Sequence, residues 1–496
     1  MRTSMVVLFG LTAGTAATVL PGLLTGNAGS TNAAAAGRIP ITMAVWGMPF
    51  EDRLFEDRYA HRYQTIAPVV VDYQRHADIA AKYTAWHAKG EGIEVMRLGI
   101  DYYHQFVSRG MLEPLDAYIS DPRFGMGPDA LARFPDRLIE RLRVDGKLYA
   151  LPQDNAMYGL FFNRAIFDAY NAAHPLAPVQ YPNADWTWDD VRRTARLLTG
   201  KRADLFGPDV DNPDAEIQGI DMVIWSWPFL NFFVQAGGQL WSADQQTTLI
   251  DSQAGVDALL FMRDLIRDGS WKPTFGQDSG TGPTVSFPSG RVAMLYGGSW
   301  LVPKFENDNP SLDFAVAPVP RGKVRATITG SVLWAMSVHA ANKPAGWSML
   351  HWLVDDAQAQ AYWDMLRVAP PANLRVLESD SFRSTSGLRD PQDPARFLIQ
   401  PMPEQKFADR AAWMLETWRT DPDTGTPPGW IATGLYQDKL QTELQAMLQE
   451  YLRNPGTVGG GEGVDPAQAL ARVARAVHAH IDAERKAKGL PEIPRP

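Results

Sequence analysis

Cysteine is absent from all 496 residues. That excludes disulfides, thiol chemistry and cysteine-ligated metal centres. Short catalytic signatures are absent as well. The nine histidines form no His-Glu-x-x-His pair, and the chain has no Gly-x-Ser-x-Gly elbow and no Gly-x-x-x-x-Gly-Lys-Ser/Thr phosphate loop. His478 and His480, two apart on an expected helix, face different directions and make poor joint metal ligands. Paired carboxylates of the kind a glycosidase uses escape such a search, because the partners meet only in the fold. There is no basic excess: a net charge of −9 and a pI near 5.5 give no electrostatic footprint for nucleic acid or an anionic membrane. Beyond the amino terminus, no apolar run reaches the length of a membrane span.

What is present is an ordinary soluble composition, 45% apolar and 21% charged, on a chain too long for one core. Two or more lobes are expected. Arg2, the apolar run Met5 to Leu24 and the tract Ala33-Ala34-Ala35-Ala36 read as a secretory signal over residues 1–36. The mature protein then begins near Gly37 or Arg38; the alternative is an uncleaved membrane anchor. Sixteen tryptophans are more than a core of this size requires, and flat apolar rings are surfaces on which sugar C–H faces stack.

From residue 39 the pattern alternates. Ile39–Trp46 reads as a strand ended by Gly47-Met48-Pro49, and helix-compatible sequence runs from Glu51 to Gln64. Val69–Tyr73 is a second strand, residues 77–89 a helix stopped at Gly90, and Glu94–Ile100 a third strand. This is a βαβ layout, for which a mainly parallel sheet flanked by helices is expected. Ligands of such sheets sit beyond the carboxyl ends of the strands. Met48 and Phe50, Gln74 and Arg75, and Asp101 with Tyr102 thereby become candidates. Asp101 has a second reading, as a cap for the helix that follows.

Asp145-Gly146 opens a turn, Leu148–Leu151 reads as a strand closed by Pro152, and Met157–Phe162 is another apolar run. The short polar bridge Gln153–Ala156 between them marks a passage from one unit to the next, with Asp154 and Asn155 at its centre. Further on, Thr187 or Asp185 can cap a helix running to Leu198. Asp209, Asp211, Asn212, Asp214 and Glu216 lack the glycine and the terminal glutamate of a calcium loop and read as a solvated acidic loop. Of Trp225 and Trp227 one at most should face a cleft, and Trp225 is favoured. Val292–Tyr296 reads as a buried strand, and Gly297-Gly298 should let backbone approach a ligand. Trp300 should follow at the start of the next helix.

Gly-Lys-Leu-Tyr-x-Leu-Pro from Gly146, Leu-Phe-Phe-Asn ending at Asn163, the opener Trp186-Thr187-Trp188-Asp189-Asp190, the Trp-Pro pair at Trp227 and the Gly-x-Trp at Trp300 together resemble the extracellular solute-binding proteins of ABC importers, of the maltodextrin-binding type. The resemblance covers nearly all of the mature chain. It implies an α/β, two-lobe fold of the Venus-flytrap kind with a multi-strand hinge. The expected layout is a first lobe over 37–155, a second over 156–317, a return to the first over 318–352, and a helical completion of the second over 353–496. It also implies a periplasmic protein, monomeric and without cofactor or metal, that captures a di- or oligosaccharide and delivers it to a membrane permease. The absent cysteine removes the lipid anchor that Gram-positive members commonly use. Ligand contacts implied by position are Trp300, Trp225, Asp101, Asp154, Asn155, Gln74, Arg75, Phe50, Gly298, Ser299, Gly330, Ser331 and Trp430. An exported carbohydrate-degrading enzyme and a binding protein for a peptide or polyamine remain the competing classes. Residues 376–429, rich in Pro, Asp and Ser, carry no reading.

Overall fold

The computed structural model describes residues 37–123, 125–275, 282–379, 382, 388–389, 395, 397–399, 429–431, 436–454, 463–493 and 495. The expected signal, residues 1–36, lies outside them, as does most of 376–429. Among the described residues no helix is long and apolar enough to cross a membrane.

Two sheets organise the chain. The first runs Val69–Arg75, Ile39–Val45, Val95–Gly99, Val332–Ala335, Ala150–Pro152. Its three amino-terminal strands are parallel, joined by a helical stretch from Arg53 to Ile66, π-wound as far as His61, and by helix Ile79–Ala88. The second sheet runs Gly429–Ile431, Thr327–Gly330, Ala156–Asn163, Val292–Gly298, Glu216–Met222, Gly200–Lys201, with Phe314–Ala317 also paired to Ala156–Asn163. Both sheets are mixed rather than mainly parallel. The cause is the shared chain: strands entering or leaving a lobe run against their neighbours, as Val332–Ala335 does in the first sheet and Ala156–Asn163 in the second.

Strand Ala156–Asn163 shows why this stretch dominates the pattern. Its alternate residues Tyr158, Leu160 and Phe162 join the main core of the second lobe, while Met157 and Phe161 join a separate cluster on the other face with Phe287, Phe305 and Phe314. A strand covered on both faces must be apolar throughout, and it is.

The chain passes from the first sheet to the second at Gln153–Asn155, between Pro152 and Ala156. Phe314–Ala317 and Thr327–Gly330 both lie in the second sheet, and the chain re-enters the first only at Val332, opposite Gly99, so this crossing is Ser331. Pro318 and Pro320 do end a strand, but a proline only interrupts a ladder and cannot say which sheet the next strand joins. Helix Asp356–Leu366 forms the third passage. Its Tyr362 and Leu366 pack in the core of the first lobe, its Ala359 and Trp363 in the cluster beneath the second sheet.

Candidate functional site

Helix Ser226–Gln235 follows strand Glu216–Met222, and Trp225 is its N-cap residue, outside the helical turn. Trp225 is 38% exposed while Trp227 is 5% exposed. The two indoles lie 5.8 Å apart, and Trp227 in turn stacks on Tyr158 at 6.4 Å and 17°. Tyr158 also stacks on Tyr296 at 5.7 Å and meets Trp300 edge-on at 5.5 Å and 88°. Five rings thus form a continuous aromatic wall on the second lobe, with Tyr158 at its centre.

Two glycines make that wall possible. A Cβ on Gly330 would fall 2.5 Å from the ring of Trp227, and one on Gly298 would fall 2.1 Å from the ring of Trp300. Gly298 stands opposite Tyr158 in the ladder. At Gly297-Gly298 the missing side chains leave room for the protein's own Leu301 and Trp300. Trp300 itself caps helix Leu301–Asp308 and is half-buried.

The first lobe meets this wall through helix Ile100–Ser108. Gly99 caps that helix, so Asp101 does not. Its Oδ1 instead accepts a hydrogen bond from Gln441 Nε2 at 3.0 Å, on helix Gln437–Arg453 of the second lobe. A reciprocal bond joins Gln105 Nε2 to Asp438 Oδ2 at 2.6 Å. Asp101 is also close enough to act on Tyr158, whose phenol is pushed well up by burial and further by the charges of Tyr296 and Asp101. The same carboxyl ties the first lobe to helix Gln437–Arg453.

Burial raises the Asp101 pKa from 3.8 to about 6, with the Gln441 bond pulling the other way. A raised carboxyl pKa means that the folded state holds its proton more tightly than the unfolded chain. Stability from this group is full below about pH 4 and is lost as pH rises to about 6, above which the ionised folded form carries its burial cost. Asp101→Asn is expected to melt with the native protein near pH 4 and above it at pH 7. Parallel melting curves across that range would sink the assignment.

Several buried polar atoms at the seam find no hydrogen-bond partner: both amide atoms of Asn155, Ser299 Oγ, Ser226 Oγ and Trp227 Nε1. Each such group costs about 1–3 kcal/mol unless something satisfies it.

Other candidates are held within the frame. Asp154, 1% exposed, gives its carboxylate to Val332 N–H at 3.0 Å, Tyr362 O–H at 2.6 Å and Gln153 Nε2 at 2.9 Å. Ser331, 2% exposed, donates its hydroxyl to the carbonyl of Asp154. The polar atoms of both are engaged within the chain, where the first and second sheets and helix Asp356–Leu366 meet. Arg75 pairs with Asp52 at 3.0 Å, and Gln74 bonds Asp72 at 2.6 Å, both within the first lobe. Phe50 is 37% exposed just beyond the first strand. Gly429–Ile431 pairs in parallel with Thr327–Gly330, Trp430 opposite Ile328, at the edge of the second sheet. Asn373 caps the short helix Leu374–Leu377 and bonds Asp356. No group of three metal-ligating side chains is assembled among the described residues.

Sequence reading missed Tyr158, although its place in a period-two run with Leu160 and Phe162 was a usable signal. It also missed Gln105, Asp438 and Gln441. Nothing local marks these, since the pairs join residues 333 and 340 apart.

Comparison with known proteins gives the same frame. A maltotriose-binding protein of Pyrococcus abyssi is 23% identical over 325 residues, 62% of this chain and 61% of that protein. The chain spans 61% of the length of the curated relatives it matches. An ABC substrate-binding protein of Listeria monocytogenes, solved in complex with cycloalternan, superposes with a TM-score of 0.69 at 19% identity, covering 92% of this chain and 100% of that one. The GacH receptor of Streptomyces glaucescens, solved unliganded and with acarbose, gives 0.66 at 18% identity, covering 91% and 100%. Residues 56–360 match the family described as bacterial extracellular solute-binding protein. With well over half its length in that match and two lobes joined by three passages, this chain belongs to the bacterial extracellular solute-binding proteins.

Proposed function

We propose that the protein is the carbohydrate-capturing component of an ABC importer. It binds an uncharged di- or oligosaccharide between its lobes and presents the closed form to membrane permease subunits. The observation that carries this reading is the 38% exposed Trp225 and the half-buried Trp300, backed by the buried rings of Trp227, Tyr158 and Tyr296 on one lobe, with Asp101 on the other. Rings supply apolar area for the C–H faces of a sugar, and carboxyl, amide and hydroxyl groups take its hydroxyls. Asn155 and Ser299, buried with unpartnered polar atoms, are assigned to those hydroxyls. Phe50, Gln74, Arg75 and Trp430 are assigned to the rim. Relatives named for maltotriose, cycloalternan and acarbose support the ligand class. Closure of two lobes on a hinge changes the outer surface, which is what a permease can read. In this reading the protein acts as a periplasmic monomer after removal of residues 1–36.

The test is a thermal-shift screen of the mature protein against mono-, di- and oligosaccharides, maltotriose included, with each ligand recovered and analysed afterwards. A ligand at about 100 times its Kd adds roughly 2.7 kcal/mol to the stability of the bound form. A shift with intact sugar is expected. Cleaved sugar would make the protein an enzyme, and no shift across the panel would overturn the ligand class.

A further inference from the structure

We propose that Asp154 is a positioning residue for lobe closure, whose single carboxylate ties the three interlobe passages together so that they bend as one unit. Each passage reaches it separately. Asp154 lies on the first, between Pro152 and Ala156. From the second, Val332 N–H donates to its Oδ1 at 3.0 Å and the Ser331 hydroxyl donates to its carbonyl. From the third, the Tyr362 hydroxyl of helix Asp356–Leu366 donates to its Oδ2 at 2.6 Å, and Gln153 Nε2 adds a third donor to the carboxylate at 2.9 Å. Backbone bonds reinforce the meeting point: Asn155 N–H to Pro370 O at 2.9 Å and Ala372 N–H to Gln153 O at 3.0 Å bring the chain after the third passage alongside the first.

Asp154 and Tyr362 are each about 1% exposed. Water cannot replace one of these donors without opening the hinge. Arg97, 2% exposed in the neighbouring strand, acts on both Asp154 and Tyr362 and offsets the burial of the carboxylate. A carboxylate suits the position because it only accepts, and the three groups around it, Val332 N–H, Tyr362 O–H and Gln153 Nε2, all donate. Three flexible crossings held independently would let the lobes twist and splay as well as close. Joined at one point, they leave a single bending motion, whatever ligand the cleft takes.

The test uses the full mature chain, in which the absence of native cysteine allows site-specific spin labels at Lys89→Cys on the first lobe and Leu176→Cys, fully exposed, on the second. Interlobe distances are measured by pulsed electron resonance without ligand. The native hinge is expected to give one narrow distribution. Tyr362→Phe removes one donor, and Asp154→Asn turns an acceptor into a donor. Both are expected to lengthen the mean distance and broaden the distribution, and the double variant to go no further than the worse single one. Tyr59→Phe serves as the matched control, because its buried hydroxyl bonds Gln358 O on the same helix at 2.7 Å without touching Asp154. It is expected to lower stability and leave the distances native. Native distances in Tyr362→Phe and Asp154→Asn overturn the proposal, as does equal broadening in Tyr59→Phe. Should Asp154→Asn fail to fold, Tyr362→Phe against Tyr59→Phe decides by the same criteria.

Discussion

Trp300→Ala is expected to weaken sugar binding by at least tenfold, about 1.4 kcal/mol, while the unliganded protein stays folded. The ring lies over Gly298, meets Tyr158 edge-on and borders two hydrophobic clusters without being wholly buried in either. Truncation therefore removes a stacking surface and also frees Tyr158 to turn. Trp300→Phe keeps a smaller ring over the same glycine and should fall between the two. Calorimetric titration with whichever sugar the screen returns, checked against the circular dichroism and melting point of each unliganded variant, decides the matter. Unchanged affinity in Trp300→Ala would remove this residue from the site. Affinity lost together with the melting transition would make it a core residue instead.

The fold was legible where local chemistry decides it. Pro152 after an apolar run, the short bridge Gln153–Ala156 and a second apolar run marked the join between two strands. Thr187 with Asp190 forms the capping box that its sequence suggests, with reciprocal bonds to backbone N–H groups. Helix Gln437–Arg453 carries its buried residues at helical spacing, and Asp465 caps helix Pro466–Ala487. What was not legible depends on partners distant in the chain. The second crossing carries no local mark: Pro318 and Pro320 end a strand, yet the chain pairs once more with strand Ala156–Asn163 before it enters the first sheet. The bonds of Asp154 to Val332 and Tyr362, 178 and 208 residues away, have no local signal either. Within the site, the aromatic types could be read in sequence, but their order around Tyr158 could not, because strand register sets it.

A second large effect is expected at Arg97. This guanidinium is 2% exposed, pairs with Glu51 at 3.2 Å, donates to the carbonyl of Trp46 at 2.6 Å and lies 4.5 Å from the ring centroid of Phe55. Glu51, 4% exposed, also accepts the Met48 N–H at 2.5 Å, so the pair fixes the loop between the first strand and Phe50. Gly47 in that loop has φ +156°, and a Cβ there would stand 2.3 Å from Glu51 Oε2 and 2.9 Å from Arg97 Nη1. The loop closes over the ion pair with no spare room. Arg97→Met leaves Glu51 charged, buried and uncompensated, and should destabilise the first lobe by about 3–5 kcal/mol in urea unfolding. Arg97→Met combined with Glu51→Gln removes the stranded charge and should recover part of that loss, because the penalty comes from the orphaned carboxylate rather than from missing attraction. A double variant no more stable than Arg97→Met alone would mean that the guanidinium acts chiefly through Asp154 or through packing on Trp46 and Phe55, and not as the counter-charge of Glu51.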